Sequence, residues 1–298
     1  MKKRIIMANI CIIVMVTLLI LTGCGNTTTP SSPSPTAQIP QPINPSLILA
    51  TTTSTQDSGL LDVLMPEFEK QTGYQVKTIA VGTGAALTMG EKGEADVLLV
   101  HAPASEKKLV DNKIGINYNL VMHNDFIIVG PSADPAKIKG LKSPVQALKA
   151  ISDSKSVFIS RGDKSGTDTM EKSLWKTASI TPSGTWYQES GTGMGQTLKT
   201  ASEKSGYILT DRATYLSTKK SLQLDILLEG DASLLNIYHV MQVNPEKFPK
   251  VNNEGAKAFV DFMLNSSTQQ LIGNFGKDKF GQALFFPDAG KKQEDLGK

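Results

Sequence analysis

From residue 46 onward, short apolar runs alternate with amphipathic stretches. This alternation predicts strands joined by helices, an α/β architecture with mainly parallel sheets. Strands are expected over 46–50, 75–81, 96–100 and 125–130. A polar loop, 51–56, leads from the first strand to a helix capped by Asp57 or Ser58. Leu60, Leu61, Leu64 and Phe68 then fall at helical spacing, and Gly73 is a C-terminal stop. Gly82-Thr83-Gly84 turns the second strand into another helix. The run 96–100 is continuously apolar, as buried parallel strands are. Residues 131–135, rich in turn formers, are a joint at which the chain crosses to a second lobe.

The theme then repeats. A strand over 157–160 runs into the loop 161–167, and Met170, Leu174 and Trp175 mark the next helix face. Residues 186–189 lead into the glycine-rich run 190–195 and a helix carrying Leu198. Strands follow over 207–210 and 224–228, and 238–243 carries the chain back. C-terminal helices hold Phe259, Phe262, Met263, Leu271 and Phe275. No sequence repeat of 20–50 residues is present.

The N-terminus departs from this pattern. Lys2, Lys3 and Arg4 precede an apolar stretch over 10–21, and Leu21-Thr22-Gly23-Cys24 follows. This is the layout of a secretory signal over 1–23. The four residues resemble a bacterial lipobox, which implies lipidation of Cys24. The other cysteine, Cys11, lies within the segment to be removed, so the mature chain has no disulfide. Residues 24–45 are dominated by Thr, Ser, Pro, Asn and Gln and read as a flexible linker.

Charge narrows the function. The chain has 31 Lys plus Arg and 28 Asp plus Glu. Lys2, Lys3 and Arg4 precede Cys24 with no acidic residue among them, so the mature chain carries 28 of each and no net charge. A basic face for nucleic acid is not implied. An anion would have to be held by local donors.

Such donors recur. Four times a strand ends in a Gly/Ser/Thr loop and a helix begins: at 51–55, 82–84, 161–167 and 190–195. Helix N-termini present N–H groups without intrahelical partners, and the helix dipole favours an anion there. Arg161 is the charge suited to a two-point contact with oxygens. It is equally suited to an ion pair with Asp163 or Asp168. The glycine pattern at 191–195 lacks the acidic residue that dinucleotide binding requires, and no Walker loop is present.

Catalytic apparatus is missing from the pattern. His101, His123 and His239 show no metal-ligand spacing. No Gly-x-Ser-x-Gly elbow exists, and Ser165 has no evident base. The chain is expected not to be an enzyme and to need no cofactor or metal cation. A phosphate-ester hydrolase using the Arg161 loop is the distant alternative.

Four strings together, Leu49-Ala50-Thr51-Thr52-Thr53-Ser54-Thr55, Val81-Gly82-Thr83-Gly84-Ala85-Ala86-Leu87, Ser160-Arg161-Gly162-Asp163-Lys164-Ser165-Gly166-Thr167 and Gly206-Tyr207-Ile208-Leu209-Thr210-Asp211-Arg212, resemble the tungstate-binding proteins of ABC importers. The resemblance implies a two-lobed type II periplasmic-binding-protein fold, each lobe a mainly parallel sheet flanked by helices. Lobe I would comprise 46–124 and 240–290, and lobe II 125–239. It implies a monomeric, lipid-anchored receptor on the extracytoplasmic face that delivers tungstate or molybdate to a permease. Carried over motif by motif, ligand contacts fall on Thr53, Ser54, Thr83, Gly84, Arg161, Ser165, Gly166, Thr167 and Thr192. Asp168 departs from the pattern, where a His or a neutral residue is expected. Tyr207, Asp211 and Arg212 suggest a hinge latch or a structural pair.

The alternative is a phosphate or sulfate receptor, since 160–167 also resembles the loop of phosphate-binding proteins. Phosphate keeps a proton near neutral pH and needs a carboxylate acceptor. The corresponding place after the strand 96–100 holds His101. Tungstate and molybdate are fully deprotonated and require only donors.

Overall fold

The computed structural model describes residues 41–296. The expected signal segment, Cys24 and the linker as far as residue 40 lie outside the described residues. In chain order the first elements are β1 (Ser46–Thr52), α1 (Thr53–Asp57), α2 (Leu60–Thr72), β2 (Gln75–Val81), α3 (Thr83–Lys92), β3 (Val97–Val100), α4 (Pro103–Asp111) and β4 (Gly115–Gly130). Then come α5 (Pro144–Ser154), β5 (Phe158–Ser160), α6 (Gly166–Thr177), β6 (Tyr187–Glu189), α7 (Met194–Glu203), β7 (Ile208–Asp211), α8 (Arg212–Thr218) and β8 (Asp225–Leu228). The chain closes with β9 (Leu235–Val243), α9 (Asn253–Leu264), α10 (Ser266–Asn274), α11 (Lys277–Phe280) and β10 (Phe286–Pro287).

Two lobes result. In the first, β2, β1 and β3 are parallel neighbours, with Ala50 opposite Ile79 on one side and Leu98 on the other. In the second, β5 and β6 pair in parallel, and Phe158 bridges Tyr207 in the same sense. The antiparallel pairs are those made by the long strands β4 and β9. β9 lies beside β3, and β4 beside β9 and β10. β4 then continues into the second lobe, where Phe126–Val129 pair with β7 and Ile128–Gly130 with β8. The passage between lobes is thus made inside a strand. Residues 131–135 form a turn beyond it, closed by the Asp134 amide on the Pro131 carbonyl at 2.9 Å.

The apolar residues divide the same way. One pair of core clusters gathers Leu49, Phe68, Val97, Val240 and Phe259, and Ala50, Leu98, Val100 and Met241. The other pair gathers Phe126, Phe158, Trp175 and Leu209, and Ile127, Ile159, Leu198 and Ile208. Phe68, Trp175, Leu198 and Phe259 of the expected helix faces cover these strands, because a sheet face in an α/β unit must be covered by an amphipathic helix.

Three local expectations change. The strand β1 runs to Thr52 and α1 begins at once, so 51–56 is not an open loop. Thr52 caps α1 by accepting the Thr55 amide at 3.2 Å. Neither Asp57 nor Ser58 caps α2. Ser58 closes α1 instead, donating to the Thr55 carbonyl at 2.7 Å, and Gly59 at φ +82° makes the turn, a conformation natural to glycine. The helices α4, α5 and α8 were not among the expected elements, although Ala147, Leu148 and Ile151 of α5 fall at helical spacing. Two of them begin with Pro at the first turn, a position where the missing N–H costs nothing.

Candidate functional site

Four helix N-termini converge where the lobes meet. Thr52 caps α1, Gly82 caps α3, Ser165 caps α6 and Gly193 caps α7. The Gly166 amide donates to Thr83 Oγ1 at 2.8 Å, and the Gly84 amide to the Lys164 carbonyl at 3.3 Å. The Gly195 amide donates to Asp57 Oδ2 at 2.9 Å. The backbones approach closely here: a Cβ on Gly82 would stand 3.1 Å from the Asp163 carbonyl oxygen, and one on Gly193 3.2 Å from Thr53 Cβ.

Arg161 lies at the centre, 1 % exposed. Its Nη2 donates to Thr53 Oγ1 at 3.1 Å and to Asp163 Oδ2. Among the described residues Arg161 Nε and Nη1, and the buried hydroxyl of Thr167, have no hydrogen-bond partner. Buried donors left without partners are costly, more so when charged. Their presence beside helix N-termini is the arrangement an anion would complete. Asp163 is already occupied, since its Oδ1 accepts the Ser165 amide at 3.1 Å. The ion pair and an anion-facing guanidinium are therefore compatible. One end is held and the rest is free.

Asp168 turns its carboxylate to the backbone of its own loop. Its carboxylate accepts the Gly162 and Lys164 amides, each at 3.1 Å, and pairs with Lys172 at 3.1 Å. It braces the Arg161 loop from behind. Ser165 caps α6 by accepting the Asp168 amide at 3.2 Å.

The first-lobe floor is a network of hydroxyls around His101. Its Nε2 lies 2.9 Å from Thr52 Oγ1 and 3.2 Å from Ser54 Oγ, and its Nδ1 lies 2.8 Å from Asn236 Oδ1. Burial pushes the imidazole down to about 4, helped by the Arg161 charge and opposed by the Asn236 contact, so it is neutral at pH 7. Asp211 is also wholly buried. It caps α8 by accepting the Thr214 amide at 2.8 Å, and burial raises its carboxyl to about 6 against the pull of Thr214 and Arg161. Its Oδ2 has no hydrogen-bond partner among the described residues.

The structure thus brings Thr53, Thr83, Gly84, Arg161, Ser165 and Gly166 together and buries Ser54 and Thr167 beside them. Thr192 stays within its own loop, with its hydroxyl 3.2 Å from Ser190 Oγ and 3.1 Å from Thr197 Oγ1. Thr52, Asn236 and the central placement of His101 were not legible as site features; the polar run ending β1 was the only signal for Thr52. Tyr207, Asp211 and Arg212 do three separate jobs. Tyr207 bonds Asp134 at 2.8 Å, and Arg212 clamps Asp125 and Glu229 at 2.6 Å each. His123 and His239 sit beside Asp288 and Glu106. A cavity of about 330 Å³ flanks the site, lined by His101, Pro103, Phe126, Gly166, Met170 and Asn236.

A model of the PBP superfamily domain matches residues 28–267. The chain is 51% identical over 280 residues to the tungstate-binding protein TupA of Peptoclostridium acidaminophilum, covering 93% of this chain and 96% of the relative. Among solved structures, the tungstate ABC transporter protein of Geobacter sulfurreducens matches with TM-score 0.72 at 48% identity, covering 77% of this chain and 98% of that one. The tungstate-binding protein TupA of Desulfovibrio alaskensis matches with TM-score 0.68 at 48% identity, covering 82% and 99%.

Proposed function

Since this chain belongs to the PBP superfamily and, within it, to the family of the tungstate-binding proteins, we propose that it captures tungstate or molybdate between its lobes and delivers the anion to the permease of an ABC importer. The observation that carries this reading is the buried Arg161, whose Nε and Nη1 stand free beside the Thr167 hydroxyl where four helix N-termini meet. A tetrahedral dianion supplies acceptors for all of these at once.

The remaining features fit a receptor. Lobe I spans 46–124 and 240–290 and lobe II 125–239, with β4 and β9 as the hinge strands. A ligand that touches both lobes favours their closed arrangement. Thr53, Ser54, Thr83, Ser165 and Thr167 would share the anion with Arg161; the Gly84 and Gly166 amides would join by exchanging their bonds to the Lys164 carbonyl and Thr83 Oγ1, and Thr192 only if its loop turned. The protein acts without catalysis or cofactor. It works as a monomer, anchored through Cys24 on the extracytoplasmic face, with residues 24–45 as its tether. Pro45, the last residue of that segment, accepts the Gln75 amide at 2.7 Å.

Neutral His101 in the place where a phosphate receptor needs a carboxylate supports a fully deprotonated ligand. Asp211 Oδ2 is the one observation favouring a second reading, a receptor for a protonated oxyanion such as phosphate. Calorimetry on the chain lacking residues 1–24, titrated with tungstate, molybdate, sulfate and phosphate, decides. Tight binding of the first two is expected. Tighter binding of phosphate would overturn the assignment.

A further inference from the structure

The polar side chains beneath the cleft form one connected path from the hinge to the anion loop. Asn124 of β4 and Asn236 of β9 stand opposite each other in the ladder. Asn236 Nδ2 donates to Asn124 Oδ1 at 2.7 Å and to the Tyr238 hydroxyl oxygen at 3.1 Å. With the amide nitrogen so placed, Asn236 Oδ1 faces His101 Nδ1 at 2.8 Å and can only accept. The proton of the neutral ring must then sit on Nδ1. Nε2 presents a lone pair to the hydroxyls of Thr52 and Ser54.

Thr52 is the nearer, at 2.9 Å against 3.2 Å for Ser54. Its oxygen already accepts the Thr55 amide, and it lies 2.7 Å from Thr55 Oγ1 and 3.1 Å from Ser54 Oγ, contacts in which either hydroxyl can donate. A hydroxyl has one proton, and of the acceptors within reach of Thr52 the imidazole lone pair is a stronger one than the Thr55 and Ser54 hydroxyl oxygens. With Thr52 donating to Nε2, the ring does not need the Ser54 proton. The ring is fixed on its other sides as well. It stacks on Tyr238 with centroids 4.7 Å apart, and Gly166 of the opposite lobe lies so close that a Cβ there would be 2.8 Å from Nδ1.

We propose that His101 is a positioning residue for oxyanion capture: held as the Nδ1–H tautomer by the hinge residue Asn236, it takes the hydrogen bond of Thr52 and leaves the Ser54 hydroxyl to donate to the anion. The inference rests on the oxyanion-binding reading of the site. It makes the hinge and the donor set parts of one network, so that the hydrogen bonding of β9 sets the direction of a proton in the cleft. Burial, which keeps the ring neutral, serves the same end.

The test uses the full-length chain purified in detergent. Long-range proton–nitrogen correlation spectra, with three histidines to assign, should show His101 Nδ1 protonated and Nε2 unprotonated at pH 7. In tungstate titrations, His101→Ala and Asn236→Ala should each weaken binding about tenfold, and the double variant by about tenfold rather than a hundredfold, because they remove one shared interaction. An Nε2–H tautomer in the wild type would overturn the proposal. So would additive losses in the double variant. Failure of the wild type itself to bind tungstate would instead remove the function on which the proposal rests.

Discussion

Asp163 holds the Arg161 guanidinium by one end only. Its Oδ2 takes Nη2, which also reaches Thr53, while Nε and Nη1 point to no described partner. A charge-assisted hydrogen bond contributes about 1.5–3 kcal/mol, against about 0.5–1.5 for a neutral one. Arg161→Ala should cost on the order of 3 kcal/mol of tungstate affinity, roughly a hundredfold or more. Arg161→Lys should recover part of this, because an ammonium restores charge without the planar fork. Calorimetry measures both. Binding of Arg161→Ala within about threefold of wild type would make Arg161 a structural partner of Asp163 alone.

Gly166 marks how tightly the lobes meet. An added Cβ would stand 2.8 Å from His101 Nδ1, 2.9 Å from Cε1 and 3.1 Å from the His101 carbonyl oxygen. Neither ring nor backbone can yield cheaply. Gly166→Ala should weaken binding by about 1–3 kcal/mol through overpacking, and small-angle scattering with ligand should give a larger radius of gyration than wild type. Unchanged affinity would mean that this contact is absent from the ligand-binding form.

Asp168 braces the Arg161 loop with both oxygens. Asn at this position offers one acceptor, so the Gly162 or the Lys164 amide loses its partner. Asp168→Asn should lower stability by about 1–3 kcal/mol and weaken tungstate binding as the loop loosens. Thermal melts and titration check the two effects. Tighter binding in this variant would show that the carboxylate repels the anion.

Glu171 gives a pH signature. Burial pushes its carboxyl up to about 7, opposed by Ser160, Tyr187 and Trp175. A carboxyl raised in the folded state contributes stability that is present below its unfolded value, near 4.5, and lost as pH rises through about 7. Glu171→Gln keeps an acceptor for Trp175 Nε1 and Tyr187 OH and never ionises. Its stability relative to wild type should therefore rise between pH 4.5 and 8, by at most about 3 kcal/mol. Melting curves of the two proteins across that range test this, and a constant difference would refute it.

Cys24 should carry the anchor. Cells fed a radioactive fatty acid should label the wild type and leave Cys24→Ala unlabelled. Equal labelling of both would discard the lipidated N-terminus.

Strands β1, β3, β5, β7 and β8 were legible because each holds a compact run of apolar residues, and β2 because Gly73 and Gly82 bracket its Val76, Ile79 and Val81. β4 was legible only at its second-lobe end. Over Gly115–Gly130 the burial alternates poorly at first, and its ladder to β9 shifts register twice. A hinge strand takes its shape from pairing with a distant strand rather than from one apolar face, so it has little local period to read. The helix α5 had usable local signals, Ser143 as cap, Pro144 in the first turn and Ala147, Leu148 and Ile151 at helical spacing.

The sequence by itself determined the α/β class, the strand–loop–helix units and the donor-rich loops, because each depends on neighbours within a turn or two along the chain. Which loops meet, and which atoms remain free when they do, was decided only by tertiary structure. Arg161 finds Thr53 across 108 residues, and His101 finds Asn236 across 135. Asp163 and Asp168 are chemically equivalent as letters, yet one holds the guanidinium and the other two backbone amides. The physical reason is that a carboxylate's role is set by the donors that folding brings within about 3 Å, and local propensity carries no information about them.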